Sequence, residues 1–184
     1  MIICYLGLGS NLGDRQKNIR LALQRVGSLK NTKLVRISGI YETDPCNCPS
    51  GSPRFLNLTA KVKTNLSARA LMEELNGIEA DLGRKDKRKN SSRPIDLDIL
   101  FYGNKKINSP HLEIPHPRIK ERDFVLKPLK EIAPALIKSL AKEVKVISDI
   151  DLTRKYAAKV KSGGKTIGFV PTMGYLHSGH LSLI

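Results

Sequence analysis

The segment Arg93-Pro94-Ile95-Asp96-Leu97-Asp98-Ile99-Leu100-Phe101 constrains this chain more than any other. Ile95, Leu97, Ile99 and Phe101 alternate with Asp96 and Asp98, and a period of two predicts a β-strand. On a strand, residues i and i+2 share a face. The aliphatic set therefore enters a core while the two carboxylates stand together on the other side. Adjacent carboxylates repel unless a cation neutralises them. Hard oxygen donors at that spacing suit Mg²⁺, which takes one or two carboxylates and completes its shell with phosphate oxygens. An isolated pair would read as a solvated strand face. Here it follows a loop with Arg84, Lys85, Lys87, Arg88, Lys89 and Arg93, opposed only by Asp86. Metal carboxylates beside a cationic loop are what a nucleoside triphosphate requires.

The rest of the pattern places this strand in a domain. Residues 2–8 read as a buried first strand, running into Gly7-Leu8-Gly9-Ser10-Asn11-Leu12-Gly13-Asp14. That glycine spacing is not a dinucleotide fingerprint and no Gly-Lys-Ser/Thr follows, so it reads as a tight strand-to-helix turn. Ile19, Ala22, Leu23 and Val26 then mark an amphipathic helix that stops near Gly27. Residues 33–43 read as a second strand and 44–54 as a loop rich in Pro, Ser, Gly and Cys. Residues 55–64 alternate, with Phe55, Asn57, Thr59 and Lys61 on one face and Leu56, Leu58, Ala60 and Val62 on the other. Ser67 caps a second helix with the stripe Leu71, Leu75, Ile78 and Leu82, closed by Gly83. After the Asp-Leu-Asp strand come a turn at Gly103-Asn104, a short segment 105–115, and helix over 121–140. Pro128 is expected near a helix start and Pro134 as a second punctuation. The order β-α-β-β-α-β predicts an α/β (α+β) domain over residues 1–143. Its core would be ferredoxin-like, an antiparallel-rich sheet flanked by helices.

Composition narrows the function classes. The net charge of +15 fits either a nucleic acid or a small polyanion. Aromatic content is 5%, Trp is absent, and no basic stretch interleaves with aromatics, which argues against a nucleic-acid partner. No apolar run is long enough for a membrane span, and the N-terminus lacks the marks of a signal peptide. Cys4, Cys46 and Cys48 are odd in number and not spaced for zinc, so free thiols in the cytoplasm are expected. His116 lies between two prolines, with Arg118 and Arg122 following. A structural histidine and a phosphate-contacting cluster both fit that pattern. Phe55 and Phe124 read as core, although Phe55 shares a face with Asn57, where a planar ligand could stack.

Taken together these blocks resemble the 6-hydroxymethyl-7,8-dihydropterin pyrophosphokinase family, over about residues 1–143. The carriers are Leu8-Gly9-Ser10-Asn11-Leu12-Gly13-Asp14, Tyr41-Glu42-Thr43, Phe55-Leu56-Asn57, Ile78-Glu79 and Leu82-Gly83-Arg84. They continue with Arg93-Pro94-Ile95-Asp96-Leu97-Asp98-Ile99, Pro115-His116-Pro117-Arg118, Arg122-Asp123-Phe124-Val125-Leu126 and Pro128-Leu129. The resemblance implies transfer of pyrophosphate from ATP, the co-substrate, to the pterin hydroxymethyl oxygen, releasing AMP by in-line attack at the β-phosphorus. It implies two Mg²⁺ ions held by Asp96 and Asp98. Arg84 and Arg93 would serve the chemistry, and Glu79, Arg84, Arg93, His116, Arg118 and Arg122 the nucleotide side. The pterin would sit between Phe55 and Phe124, with Asn57, Thr43 and Asp44 around its polar edge. One departure stands out: many family members carry Trp-Gly-Pro-Arg where this chain has Asn90-Ser91-Ser92-Arg93. That removes a large contact from a loop that the family closes over its site.

After about residue 143 the pattern restarts, with a short strand at 144–147, a helix over 150–162 and a strand at 166–171. Pro171-Thr172-Met173-Gly174-Tyr175-Leu176-His177-Ser178-Gly179-His180 resembles the opening of the pantothenate synthetase family. His177 and His180 would be its ATP-phosphate pair at a helix N-terminus. The resemblance implies a fragment of a Rossmann-like nucleotidyltransferase fold. About 40 residues cannot bury a core, so ligase activity is not expected of residues 144–184. The chain is expected to be a monomer, with self-association possible through unpaired strands of this tail.

Overall fold

A central strand, β1 (Ile2–Ser10), organises the first of two units, Met1–Lys142 and Glu143–Ile184, in a computed structural model. The structure describes residues 1–46, 48–84, 91–110, 112–140, 149–164 and 166–168. β1 pairs antiparallel on one side with β4 (Phe55–Thr64), from Ile2 opposite Thr64 to Ser10 opposite Leu56. On the other side it pairs with β5 (Asp96–Tyr102). β2 (Thr32–Ile37) and β3 (Tyr41–Thr43) pair with the two ends of β4, giving the order β2-β4-β1-β5. The expected single strand at 33–43 is therefore two. Ser38 keeps a backbone bond to the Thr59 carbonyl and its hydroxyl accepts from the Thr59 N–H, while the Gly39 N–H turns away to Glu131. The segment 105–115 contains a hairpin, β6 (Ile107–Ser109) and β7 (Leu112–Ile114), that sequence reading left unassigned.

The alternation of β4 is realised as expected: Leu56, Leu58, Ala60 and Val62 are buried against two helices. α1 (Arg15–Ser28) contributes Ile19, Ala22 and Val26, and α2 (Ala68–Asp81) contributes Leu71, Leu75 and Ile78. Each fully buried aliphatic side chain stabilises the fold by about 1.5–3 kcal/mol. The helices start where side chains can satisfy their first N–H groups. The Asp14 carboxylate accepts from Lys17 N at 2.9 Å and the Ser67 hydroxyl from Ala70 N at 3.1 Å. Gly83, at φ +90°, lets the chain leave α2 in a conformation that other residues resist.

The opposite sheet face carries a smaller core with α3 (Asp123–Ile132), in which Leu100, Phe101, Ile119, Val125 and Leu129 pack together. Phe101 was expected beside Leu97 and Ile99, but it faces the other way. Tyr5 pairs with Phe101 and Leu6 with Ile99, so Leu100 is an extra residue in a β-bulge. The bulge resets the alternation, and both Leu100 and Phe101 turn toward α3. Pro128 lies inside α3 rather than near its start, and Pro134 opens α4 (Pro134–Leu140).

The second unit contains α5 (Ile150–Ser162), capped by the Asp149 carboxylate, which accepts from Leu152 N at 2.7 Å. Residues 166–168 are irregular. The expected strand at 144–147 and the motif with His177 and His180 lie outside the described residues, as do Lys85, Asp86, Lys87, Arg88, Lys89 and Asn90. No helix among the described residues is long and apolar enough to cross a membrane.

Candidate active site

The antiparallel registers bring distant residues into two rungs across the sheet. Gly9 pairs with Asn57 on one side and Asp96 on the other. Two residues earlier, Gly7 pairs with Thr59 and Asp98. Directly opposed residues share a face, so Asn57, Gly9 and Asp96 form one row and Thr59, Gly7 and Asp98 the next. Strands lie about 4.8 Å apart, so the outer side chains of a rung are separated by roughly 10 Å, with a glycine between them. The glycines keep a trough open. A Cβ on Gly9 would sit 3.0 Å from Asn57 Oδ1, and one on Gly7 would sit 3.3 Å from Leu100. They belong to β1 itself and line a cleft, a different role from the tight turn expected of them.

The cleft has a volume of about 610 Å³. It brings together the residues singled out for the pyrophosphokinase site: Thr43, Asp44, Phe55, Asn57, Glu79, Arg84, Arg93, Asp96, Asp98, His116, Arg118, Arg122 and Phe124. Met72 and Asn76 also line it, two turns and one turn before Glu79 on α2. Their i, i+4, i+7 spacing was the signal that could have found them.

One half of the cleft is ionic. Arg84 and Arg93 each donate to the same Asp96 oxygen, Oδ1, at 2.6 and 2.9 Å. Arg84 also pairs with Glu79 Oε1, which accepts from Leu97 N at 2.7 Å. Glu79 is buried and thus ties the arginine to β5 from behind. Burial raises its pKa, against the backbone bond from Leu97 and the charge of Arg84. Asp98 lies 3.7 Å from Arg122. Burial first, and then the Asp96 charge, push its pKa up to about 7. His116 is pressed down to about 4, chiefly by burial and then by Arg122, so the ring is neutral at physiological pH. Its Nε2 is 3.2 Å from Arg122 Nη1, and its Nδ1 faces the Arg118 N–H at 3.3 Å. The Arg118 side chain pairs with Glu121.

The other half is aromatic and amide-lined. Phe55 opens β4, and Phe124 is the second residue of α3, with the Arg122 guanidinium 5.5 Å from its ring centre. Asn57 is buried and donates through Nδ2 to Thr43 Oγ1 at 2.8 Å. That bond fixes the amide orientation and directs Oδ1 over Gly9. Asp44 pairs with Arg54 Nε at 2.9 Å. Cys46 and Cys48 line the same wall. Cys4 is deeply buried, which pushes its thiol up to about 12.

The donor set fits Mg²⁺. Among the described residues no three His, Cys, Asp or Glu side chains could hold a metal by themselves. Two carboxylates on one strand face, with arginines beside them, suit a cation that takes its other oxygens from a phosphorylated ligand. Thr59 Oγ1 and Arg84 Nε are buried on cleft-lining residues and lack a partner among the described residues. Such polar capacity is unusual in a finished interior and common in a ligand site.

Fold and site define an α+β protein whose sheet carries an acidic and arginine-rich subsite beside an aromatic and amide-lined one. Residues 5–134 match the family model described as 7,8-dihydro-6-hydroxymethylpterin-pyrophosphokinase, and the chain belongs to that family. It is 42% identical over 137 residues to the 2-amino-4-hydroxy-6-hydroxymethyldihydropteridine pyrophosphokinase of Haemophilus influenzae, covering 74% of this chain and 85% of that protein. It is 47% identical over 133 residues to the folic acid synthesis protein fol1 of Pneumocystis carinii. There the match covers 72% of this chain but only 18% of the longer protein. A solved HPPK-DHPS structure in complex with substrates shares the fold, with TM-score 0.55 and 19% identity over 88% of this chain and 44% of that one. Residues 145–184 match the family model of pantoate-beta-alanine ligase.

Proposed function

We propose that this chain transfers pyrophosphate from ATP to 6-hydroxymethyl-7,8-dihydropterin, forming the pterin diphosphate and AMP in folate synthesis. The carrying observation is the pair of rungs that sets Asn57 and Thr59 on one side of the glycine trough and Asp96 and Asp98 on the other. A pterin held at Asn57 points its substituent across Gly9 toward the carboxylates. Phe55 and Phe124 supply stacking faces, and Asn57 a fixed amide for the polar edge of the ring. Arg84, Arg93 and Arg122 neutralise the triphosphate, and the neutral His116 adds a hydrogen-bonding group without charge. Asp96 and Asp98 would hold two Mg²⁺ ions, which would supply charge neutralisation to the triphosphate. The protein thus works by positioning and electrostatics: the hydroxymethyl oxygen bonds to the β-phosphorus as the bond to AMP breaks.

With β2 and β3 counted as one interrupted strand, the order of elements and the β2-β4-β1-β5 sheet support a ferredoxin-like core for this domain, taken as residues 1–143. Residues 144–184 are a pantothenate synthetase-like fragment, a reading supported by the family match at 145–184. Cysteines odd in number and not spaced for zinc, together with ATP as co-substrate, favour a cytoplasmic setting. Label partition tests the reaction. ATP labelled at the γ-phosphate should deliver its label to the pterin product, whereas α-labelled ATP should leave it in AMP. Release of γ-label as free phosphate, or of α-label on the pterin, would rule the reaction out.

A further inference from the structure

We propose that Thr59 is a specificity-determining residue: its hydroxyl hydrogen-bonds a ring heteroatom of the pterin at the inner end of the cleft, beside the fixed amide of Asn57. The inference deepens the pyrophosphokinase reading above and rests on it. Thr59 is 0% exposed and lines the cleft, and its Oγ1 has no hydrogen-bond partner among the described residues. It lies two residues after Asn57 on the same face of β4, roughly 7 Å further along the strand. A bicyclic pterin carries heteroatoms on both of its rings, so one molecule can reach both positions.

The groups around Thr59 already have other partners. Its backbone N–H donates to the Ser38 hydroxyl at 3.0 Å, and its carbonyl accepts from Ser38 N at 2.9 Å. The Ser38 hydroxyl in turn donates its proton to the Gly39 carbonyl at 2.8 Å. With both backbone groups turned to Ser38, the opposed pair Thr59 and Gly7 is a non-hydrogen-bonded one, in which Cα atoms approach to about 4.5 Å. The Thr59 side chain therefore stands beside the bare backbone of Gly7. The wall nearest a Cβ placed on that glycine is Leu100, at 3.3 Å, which has no polar side-chain atom to offer. Lys61, next on the same strand face, lies over the Tyr5 ring. Valine has the shape of threonine and favours strands, so packing alone would place valine here. A buried hydroxyl without a partner costs stability that valine would not. A ligand entering the trough at Asn57 supplies the missing bond, and the hydroxyl can serve it as donor or acceptor.

The test uses the full chain with Thr59→Val, which keeps the shape, and Thr59→Ser, which keeps the hydroxyl. Pterin affinity is measured by calorimetry with Mg²⁺ and α,β-methylene-ATP present, KM values by AMP release, and stability by melting without ligand. Thr59→Val should bind the pterin about 5- to 10-fold more weakly, the loss expected for one neutral hydrogen bond, and raise its KM in step. Its nucleotide KM should stay near the parent value, and it should melt at or above the parent temperature. Thr59→Ser should melt lower, having lost a buried methyl group, yet bind the pterin within about threefold of the parent. A Thr59→Val protein with the parent's pterin affinity would overturn the role. So would equal weakening in both variants, which marks shape alone. A Thr59→Val protein that melts lower or fails to fold would overturn it too, because the hydroxyl would then serve the fold. A parent that forms no AMP from ATP and pterin would instead overturn the functional reading, whatever the affinities.

Discussion

Asp98 pairs a structural penalty with a functional use. Its pKa is raised from 3.8 to about 7, so the folded state holds this proton more tightly than the unfolded chain does. The linked stability is complete below 3.8 and is lost as pH rises through about 7. Asp98→Asn removes the charge and keeps the shape. At about pH 8 without metal, the variant should be more stable than the parent by about 1 kcal/mol. That figure is already reduced for solvent screening of a side chain that is 39% exposed. The same variant should form AMP about 10²-fold more slowly or worse. Melting curves and rates on the same samples check both, and an active but destabilised variant would contradict the assignment. His116 has the opposite sign. Its pKa is lowered from 6.5 to about 4, so the stability it contributes is present above 6.5 and lost as pH falls toward 4. Gly9 makes a steric prediction: Gly9→Ala puts a Cβ 3.0 Å from Asn57 Oδ1. It should raise the pterin KM about tenfold, equivalent to 1.4 kcal/mol, with little change in the nucleotide KM.

At the scale of elements, the bulge in β5 makes one strand serve two faces. Asp96 and Asp98 meet the cleft, Leu97 and Ile99 meet α1 and α2, and the extra residue lets Leu100 and Phe101 both meet α3. Leu100→Ala should therefore cost about 2–4 kcal/mol in urea unfolding, because a buried side chain is lost from a small core that cannot collapse around the cavity. A cost below about 1 kcal/mol would mean that α3 is held by other contacts. The alternation of β4, the caps at Asp14 and Ser67 and the stripes of α1 and α2 were legible in sequence because each depends on neighbours within a few residues. The bulge was not, since it is a mismatch between strands about 95 residues apart. Nor was the break between β2 and β3, which Glu131 of α3 stabilises by accepting from the Gly39 N–H and the Tyr41 hydroxyl. The bonds of Asn11 were not legible either, because its partners, the Pro53 carbonyl, the Ser92 hydroxyl and the Arg93 N–H, lie 42, 81 and 82 residues away in sequence. The candidate site residues named from the combined motifs converge on one cleft.

At the scale of the molecule, the first unit contains the sheet, both cores and the whole cleft. Removing residues 143–184 should leave a folded protein whose kcat and both KM values stay within about twofold of the parent, as expected for independent units. Loss of turnover in a folded truncation would show that the tail takes part in catalysis. The net charge of +15 should also make kcat/KM for ATP fall with added salt, because the surface attracts a polyanion. The measurement that tests the central claim most directly is AMP formation by the full chain from ATP and Mg²⁺, with and without 6-hydroxymethyl-7,8-dihydropterin. The rung geometry predicts AMP only when the pterin is present, in a one-to-one ratio with pterin diphosphate. AMP formed equally without the pterin, or none at all from protein that binds both substrates, would contradict it.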